Sequence, residues 1–346
     1  PTTSGRDRGA FTGRDLRTGE EKVVFPPNVD TYWFHHRCYI AKATDNYLMP
    51  SRTGIEFVDP DKQDWNINHW VRGGCLYGVM PANGLTYAPP HNCACYPEAK
   101  LFGFNALAPA APTRKLGKVD ETNRLEKGPA YGQATDSAGN AASDWPTYRH
   151  DNLRSGFSTT AIGAKLGEKW SVNLKGKLSA VTVAEGRLFV ARVDAHEVVA
   201  LLANNGKEAW RFHTGGPLRK AATGDGERIF IGGESGVLFC LDKTGKLLWK
   251  KRGGPSDRKV LGHGRLISAW PIMASPLVKD NIVYFTAGYW PLEGVYCYAL
   301  DTKTGKEKWK ANGIQARPFM LRTHENWLIL EGHNSGAMFD LTNGRP

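Results

Sequence analysis

Imidazole, guanidinium and phenol groups crowd two short stretches near the start of the sequence. His35-His36-Arg37-Cys38-Tyr39 sets two histidines, an arginine and a tyrosine around one cysteine, and His91-Asn92-Cys93-Ala94-Cys95-Tyr96 repeats histidine and tyrosine around a cysteine pair. Arg52, Arg72, Asn83 and Tyr87 lie on neighbouring segments. These are the groups that β-elimination from a uronic acid needs. Arginine offsets the carboxylate so that the adjacent C–H becomes acidic, His or Tyr takes the proton, and Tyr protonates the departing glycosidic oxygen. Histidine suits the base role because its unperturbed pKa is about 6.5. On an extended strand His35, Arg37 and Tyr39 share one face and His36 and Cys38 the other, so one set can line a cavity while the other anchors it. The expected catalytic set is His35, His36, Arg37, Tyr39, Arg52 and His91. The structural alternative has the histidines capping strands or binding metal, with Arg37 and Arg72 in ion pairs.

Cysteine usage is lopsided: Cys38, Cys75, Cys93 and Cys95 fall in the first hundred residues, while Cys240 and Cys297 stand alone on apolar segments and are expected to be buried thiols. Cys93 and Cys95 would point the same way on a strand and can chelate one ion, with Cys38 and Cys75 or a histidine completing a tetrahedral zinc site. Two disulfides tying Cys38 and Cys75 to Cys93 and Cys95 serve equally in an exported protein. A lone Cys-x-Cys does not decide between one structural zinc and the disulfides.

What positions these groups is an internal repeat. A β-rich run ends in a tight turn, and a tryptophan follows four residues after the turn glycine, as in Leu241-Asp242-Lys-Thr-Gly245-Lys-Leu-Leu-Trp249 and Leu300-Asp301-Thr-Lys-Thr-Gly305-Lys-Glu-Lys-Trp309. Val198 to Trp210 is a third copy, and Leu166-Gly-Glu-Lys-Trp170 keeps only the end. The tryptophans step by 40, 39 and 60 residues, the last step absorbing an insertion around Trp290. Asp and Thr side chains bond back to the turn backbone and Gly takes positive φ, so each turn is a hairpin. A second strand pair lies upstream of each, giving four short strands per unit. Such a sheet exposes both faces and must stack radially, with the Trp docking one unit on the next.

The Ala-Leu-Asp-x-x-Thr-Gly-x-x-x-Trp unit resembles the repeat of pyrroloquinoline-quinone enzymes and of their non-catalytic relatives, including the propeller lipoprotein of outer-membrane assembly. Asp144-Trp-Pro-Thr-Tyr-Arg-His-Asp-Asn-Leu-Arg-Ser-Gly156 is similar to the entry segment of many secreted members of that group. The resemblance implies an all-β fold: a β-propeller of about seven four-stranded blades, eight if residues are missing. Residues 1–110 read as divergent blades carrying the Cys/His cluster, 111–143 as a long exposed loop, and 144–346 as regular blades of the same propeller. The quinone enzymes, the resemblance implies, use adjacent cysteines and a calcium beside the quinone. This chain has no Cys-Cys pair, so no quinone is expected. The His, Tyr and Arg cluster resembles, in residue types only, the propeller-fold polysaccharide lyases of ulvan and oligogalacturonate type.

Lys and Arg number 45 against 34 Asp and Glu, a net +11 that favours anionic partners. No zinc-finger spacing, basic helix or RNA-binding signature appears, so an anionic polysaccharide is expected ahead of nucleic acid. No apolar run is long enough for a membrane span. Walker, serine-elbow and His-Glu-x-x-His motifs are missing, which removes nucleotide hydrolase, serine esterase and zincin readings. Arg149-His150-Asp151 looks like a catalytic pair, but its place in the entry segment points to a chain crossing between blades. His263, His324 and His333 are expected on solvated loops. The first residues already lie within a repeat, so a processed or truncated chain is expected. The leading expectation is an exported, periplasmic or extracellular uronate lyase. The rival is a non-catalytic envelope propeller that scaffolds other proteins or docks a partner domain or subunit.

Overall fold

The computed structural model describes residues 10–27, 39–50, 54–68, 71–90, 101, 103–110, 124–136, 139–262, 265–289, 293–332 and 335–346. These form short antiparallel strands in separate small sheets, and no α-helix occurs among them. The chain divides into two compact units, residues 1–118 with 260–266, and residues 119–259 with 267–346.

The first unit holds the divergent sheets. Phe11–Arg14 pairs with Glu21–Phe25 across the Asp15 turn, whose carboxylate accepts the backbone N–H groups of Arg17 and Thr18, each at 2.9 Å. Lys42–Ala43, Leu48–Met49, Ile55–Asp59 and Asp64–Asn68 make a four-stranded sheet, and Met80–Ala82, Leu85–Ala88 and Asn105–Leu107 a three-stranded one. Alternation along Ile55–Asp59 buries Ile55 and Val58 in two different apolar clusters, so both faces of this sheet are packed.

The second unit contains four regular blades. Blade 1 comprises Thr182–Ala184, Arg187–Arg192, Glu197–Leu202 and Glu208–His213. Blade 2 comprises Thr223–Gly224, Arg228–Gly232, Val237–Asp242 and Leu247–Arg252. Blade 3 comprises Leu277–Lys279, Ile282–Ala287, Tyr296–Asp301 and Glu307–Ala311. Blade 4 shows three strands, Pro318–His324, Trp327–Gly332 and Gly336–Asp340. In each, strands pair in sequence order. Val, Ile, Leu and Phe fill the middle strands on both faces, which is why these strands are buried nearly throughout, as a sheet between two others must be.

Three blades share one irregularity. The pairing of the third and outer strands slips one residue after Ala200↔Trp210, Cys240↔Trp249 and Ala299↔Trp309. A bulge at that place bends the outer strand just where the tryptophan leaves the sheet. Each indole N–H then reaches a turn carbonyl of the following sheet: Trp170 to Ala203, Trp210 to Lys243, Trp249 to Thr302 and Trp309 to Leu341, at 3.1, 3.0, 3.0 and 2.9 Å. The expected docking role of the tryptophans is thereby located in named atoms.

Two expectations are corrected. The segment 111–143 is not exposed throughout, because Leu125–Lys127 adds a fifth strand to the outer edge of blade 2. Arg124 just before it is buried, with its guanidinium on the Tyr298 hydroxyl at 2.8 Å. Few apolar residues and no periodicity hid it, since an added edge strand needs only backbone pairing. The insertion between Trp249 and Trp309 is not centred on Trp290. Most of it is residues 253–276, which separate blades 2 and 3 and include the strands Lys259–Gly262 and Arg265–Ser268.

Candidate functional site

The segment from Asp144 to Arg154 runs along the inner strands of all four blades in the second unit. Trp145 exchanges two backbone bonds with Val183 of blade 1, each 2.8 Å. Pro146 then accepts from Gly224 N at 2.8 Å, and the Thr147 hydroxyl meets that of Thr223, both on blade 2. Asn152 donates its side-chain amide to Val278 O of blade 3 at 2.7 Å and accepts Thr323 N of blade 4 at 2.7 Å. Short inner strands present unpaired backbone groups toward the centre, and this segment satisfies them in turn.

Arg154 closes the lacing. Its Nε donates to Leu321 O at 2.8 Å, Nη1 to Thr147 Oγ1 at 2.6 Å and Tyr148 O at 2.8 Å, and Nη2 to Pro276 O at 3.3 Å. The side chain is 4% exposed. Burial among neutral acceptors pushes its guanidinium down to about 10. Holding this path takes left-handed backbone at three non-glycine residues, Arg149 (φ 56°), His150 (φ 75°) and Arg154 (φ 59°). Such conformations are maintained only where surrounding contacts over-determine them.

Hollows open on either side of this loop. One is a cleft of about 380 Å³ faced by His150, Asp151, Thr147, Asp225 and Asp280. There His150 Nδ1 lies 3.7 Å from Asp151 Oδ2, and its ring meets the Trp145 ring at 5.0 Å. Burial pushes the Asp151 carboxyl up, but bonds from the Ser155 hydroxyl and backbone N–H and the nearby imidazole outweigh it, so the net shift is downward. Asp151 is therefore an anion occupied in closing the loop on Ser155, as the chain-crossing reading of Arg149-His150-Asp151 expects. The other hollow, on the Arg149 and Arg154 side, is cationic.

The residues singled out from sequence lie in the first unit. His35, His36, Arg37, Arg52 and His91, with Cys38, Cys93 and Cys95, fall outside the described residues. Tyr39 is described: its ring is 7% exposed in an apolar cluster, and its hydroxyl donates to Gly54 O at 3.1 Å. That is the environment of a packing residue. Cys75 is exposed, with Arg72 Nη2 3.3 Å from its sulfur, and Arg72 itself is buried. Asn83 occupies a turn at φ 52°, and the Tyr87 ring contacts Phe104. His324 is exposed at the end of its strand, whereas His263 and His333 lie outside the described residues. No cluster of three or more His, Cys, Asp or Glu fit to hold a metal occurs among the described residues. Cys240 and Cys297 are fully buried thiols, as their apolar strands predict. Sequence reasoning passed over Arg154, Arg219 and Lys220. They lie in irregular connections where periodicity gives no signal; Arg219 and Lys220 stand just before the inner strand Thr223–Gly224, and Arg154 lies in the entry segment.

Residues 194–344 match the family model described as outer membrane protein assembly factor BamB. Over those residues the chain carries the pyrroloquinoline-quinone-type propeller repeat and resembles BamB. It is 27% identical over 135 residues to Protein Rv3035 of Mycobacterium tuberculosis, covering 36% of this chain and 33% of that protein. It is 26% identical over 177 residues to a 1-butanol dehydrogenase (quinone) of Thauera butanivorans, covering 46% of this chain and 27% of that one. The chain thus spans well under half the length of these curated relatives. BamB from Moraxella catarrhalis aligns structurally with a TM-score of 0.38 and 16% identity over 90% of this chain and 75% of that one. A quinone does not fit the residues present here. No two cysteines are adjacent in the sequence, and at the centre of the second unit the inner strands are hydrogen-bonded to residues 144–154.

Proposed function

We propose that this protein is a non-catalytic propeller that works as a binding scaffold on the envelope side of the cell, in the periplasm or outside it. One observation carries the reading: the inner strands of four blades commit their central backbone and hydroxyl groups to the protein's own Asp144–Arg154 segment. A centre cross-braced in this way offers a rigid frame whose loops can present side chains to a partner. The similarity of residues 194–344 to an assembly factor supports the same reading.

The test is turnover. Purified protein incubated with pyrroloquinoline quinone and calcium is expected to leave an electron-accepting dye unreduced with alcohols. It is also expected to generate no ultraviolet absorbance of unsaturated uronate from a panel of acidic glycans. Sustained turnover in either assay overturns the proposal, and in the second it would restore the lyase built on His35, His36, Arg37, Tyr39, Arg52 and His91. The first unit is proposed to carry one structural zinc at Cys38, Cys75, Cys93 and Cys95. Metal analysis is then expected to find about one zinc per chain with all thiols titratable after unfolding. Zinc-free protein with only Cys240 and Cys297 titratable would replace the metal by disulfides.

A further inference from the structure

The cationic hollow lies where the inner strands of the second unit begin. Ala180, Ala221 and Ser275 line it two residues before the inner strands that begin at Thr182, Thr223 and Leu277, and Phe319 lines it as the second residue of the inner strand Pro318–His324. Its volume is about 320 Å³. Arg149, Arg154, Arg219 and Lys220 line it, and no carboxylate does. The nearest fixed anion stands behind the wall: Glu234, 1% exposed, holds Arg219 Nε at 2.5 Å. That pairing fixes the stem of Arg219 while its terminal nitrogens have no protein partner among the described residues. Arg154 is different, since its hydrogen bonds go to the fold and it contributes mainly charge.

Arg149 is the adaptable member. Its Nε donates to Arg154 O at 2.8 Å, and its terminal nitrogens have no protein partner among the described residues. Gly156, at φ 69°, leaves room for the guanidinium, because a Cβ there would lie 3.3 Å from Arg149 Nη2. Two aromatic rings complete the rim, Tyr148 at 40% and Phe319 at 46% exposure. Arginines concentrated in a partly enclosed space attract a carboxylate strongly, since charge-assisted bonds gain from a low local dielectric. Exposed flat rings beside them suit a ligand with an apolar C–H face.

We propose that this hollow binds a uronate residue of an anionic oligosaccharide, its carboxylate on Arg149 and Lys220 and its ring face against Tyr148 and Phe319. The proposal rests on the binding-scaffold reading and names the class of partner. The volume stands at the small end of ligand pockets, about 300–1,000 Å³, and suits one sugar ring rather than a large cofactor. An acidic peptide would offer carboxylates on slender stems and no flat face for the two rings, so the saccharide is favoured.

Calorimetric titration of the whole protein with trigalacturonate tests it, alongside maltotriose as the uncharged sugar and hexaglutamate as the acidic peptide. Trigalacturonate is expected to bind, maltotriose to give no heat, and hexaglutamate to bind more weakly. Replacing Arg149→Gln and Lys220→Gln together is expected to weaken trigalacturonate about tenfold or more at unchanged thermal midpoint. Replacing the exposed Lys165→Gln and Lys169→Gln, an equal loss of charge, is expected to leave affinity within about twofold. No heat from trigalacturonate, equal loss in both double variants, or hexaglutamate binding as tightly each overturns the proposal. Should the Arg149 variant lose its fold, Phe319→Ala substitutes for it, with a several-fold weakening expected and unchanged affinity counting against the site. Turnover of a glycan or alcohol would defeat the scaffold reading whatever the titration shows, so the two failures are distinguishable.

Discussion

The indole of Trp249 rests on Gly305 of the next blade: a Cβ at Gly305 would stand 2.7 Å from Trp249 Cδ2, and the indole N–H donates to Thr302 O at 3.0 Å. The same relation joins Trp170 to Gly206, Trp210 to Gly245 and Trp309 to Gly344, where the corresponding approaches are 2.6, 2.6 and 2.5 Å. Glycine is needed twice over, for φ near +70° and for the space the ring takes.

Gly305→Ala is therefore expected to cost about 2–4 kcal/mol, combining left-handed strain with overpacking. Gly19 has a similar φ of 74° but nothing within 4 Å, so Gly19→Ala should cost only about 1 kcal/mol. Denaturant midpoints of the two variants check the contrast, and equal losses would show that contact with the ring contributes nothing.

Arg154→Leu should destabilise the second unit by about 3 kcal/mol or more, because it takes the guanidinium's donors from Leu321 O, Tyr148 O and Thr147 Oγ1 and leaves Pro276 O only the Thr223 hydroxyl. Arg154→Lys should fall short of full recovery, since one ammonium cannot match a planar fork. Urea unfolding of both variants reads the difference.

Stability should fall on acidification through the turn aspartates. At Asp301, burial pushes the carboxyl up, but the Thr304 side-chain and backbone bonds and Lys308 more than reverse it, so the folded value lies below the ordinary one. A depressed folded pKa contributes stability that is complete above the unfolded value of about 3.9 and is lost as pH drops through the folded value. The thermal midpoint is thus expected to be level above about pH 5 and to decline below about pH 4. Asp301→Asn should flatten part of that decline.

Cys240 and Cys297 should resist alkylation in the native protein and react only on unfolding. Burial raises both thiols well above their ordinary range, removing the reactive thiolate. Cys75 is exposed but is a proposed zinc ligand, so it should react only once a chelator has removed the metal. Mass spectrometry of alkylated peptides, before and after denaturant, gives the order.

Much of the second unit was legible because its determinants are local. Asp242, Thr244 and Gly245 make their turn by bonds within five residues, with the Asp242 carboxylate accepting Thr244 N at 2.8 Å and Lys246 N at 3.0 Å. Alternation then sets which strands are buried, and the interval from Gly to Trp sets the docking. The four-stranded unit and the tryptophan contacts follow from spacing alone. The strand at Leu125–Lys127 did not, because an added edge strand is recruited by backbone groups of Leu247–Arg252 that no residue type in 125–127 announces.

The chemistry divides the same way. Sequence by itself determined an all-β repeat, a strong positive charge, two buried thiols and the lack of an adjacent cysteine pair. Only the tertiary structure decided that Tyr39 spends its hydroxyl on Gly54, that Asp144–Arg154 laces four inner strands, and that Arg149, Arg154, Arg219 and Lys220 meet around one hollow. The reason is physical: periodicity encodes which face of a strand is buried, whereas convergence of connections from different blades depends on how those blades stack, and no local pattern along the chain carries that information.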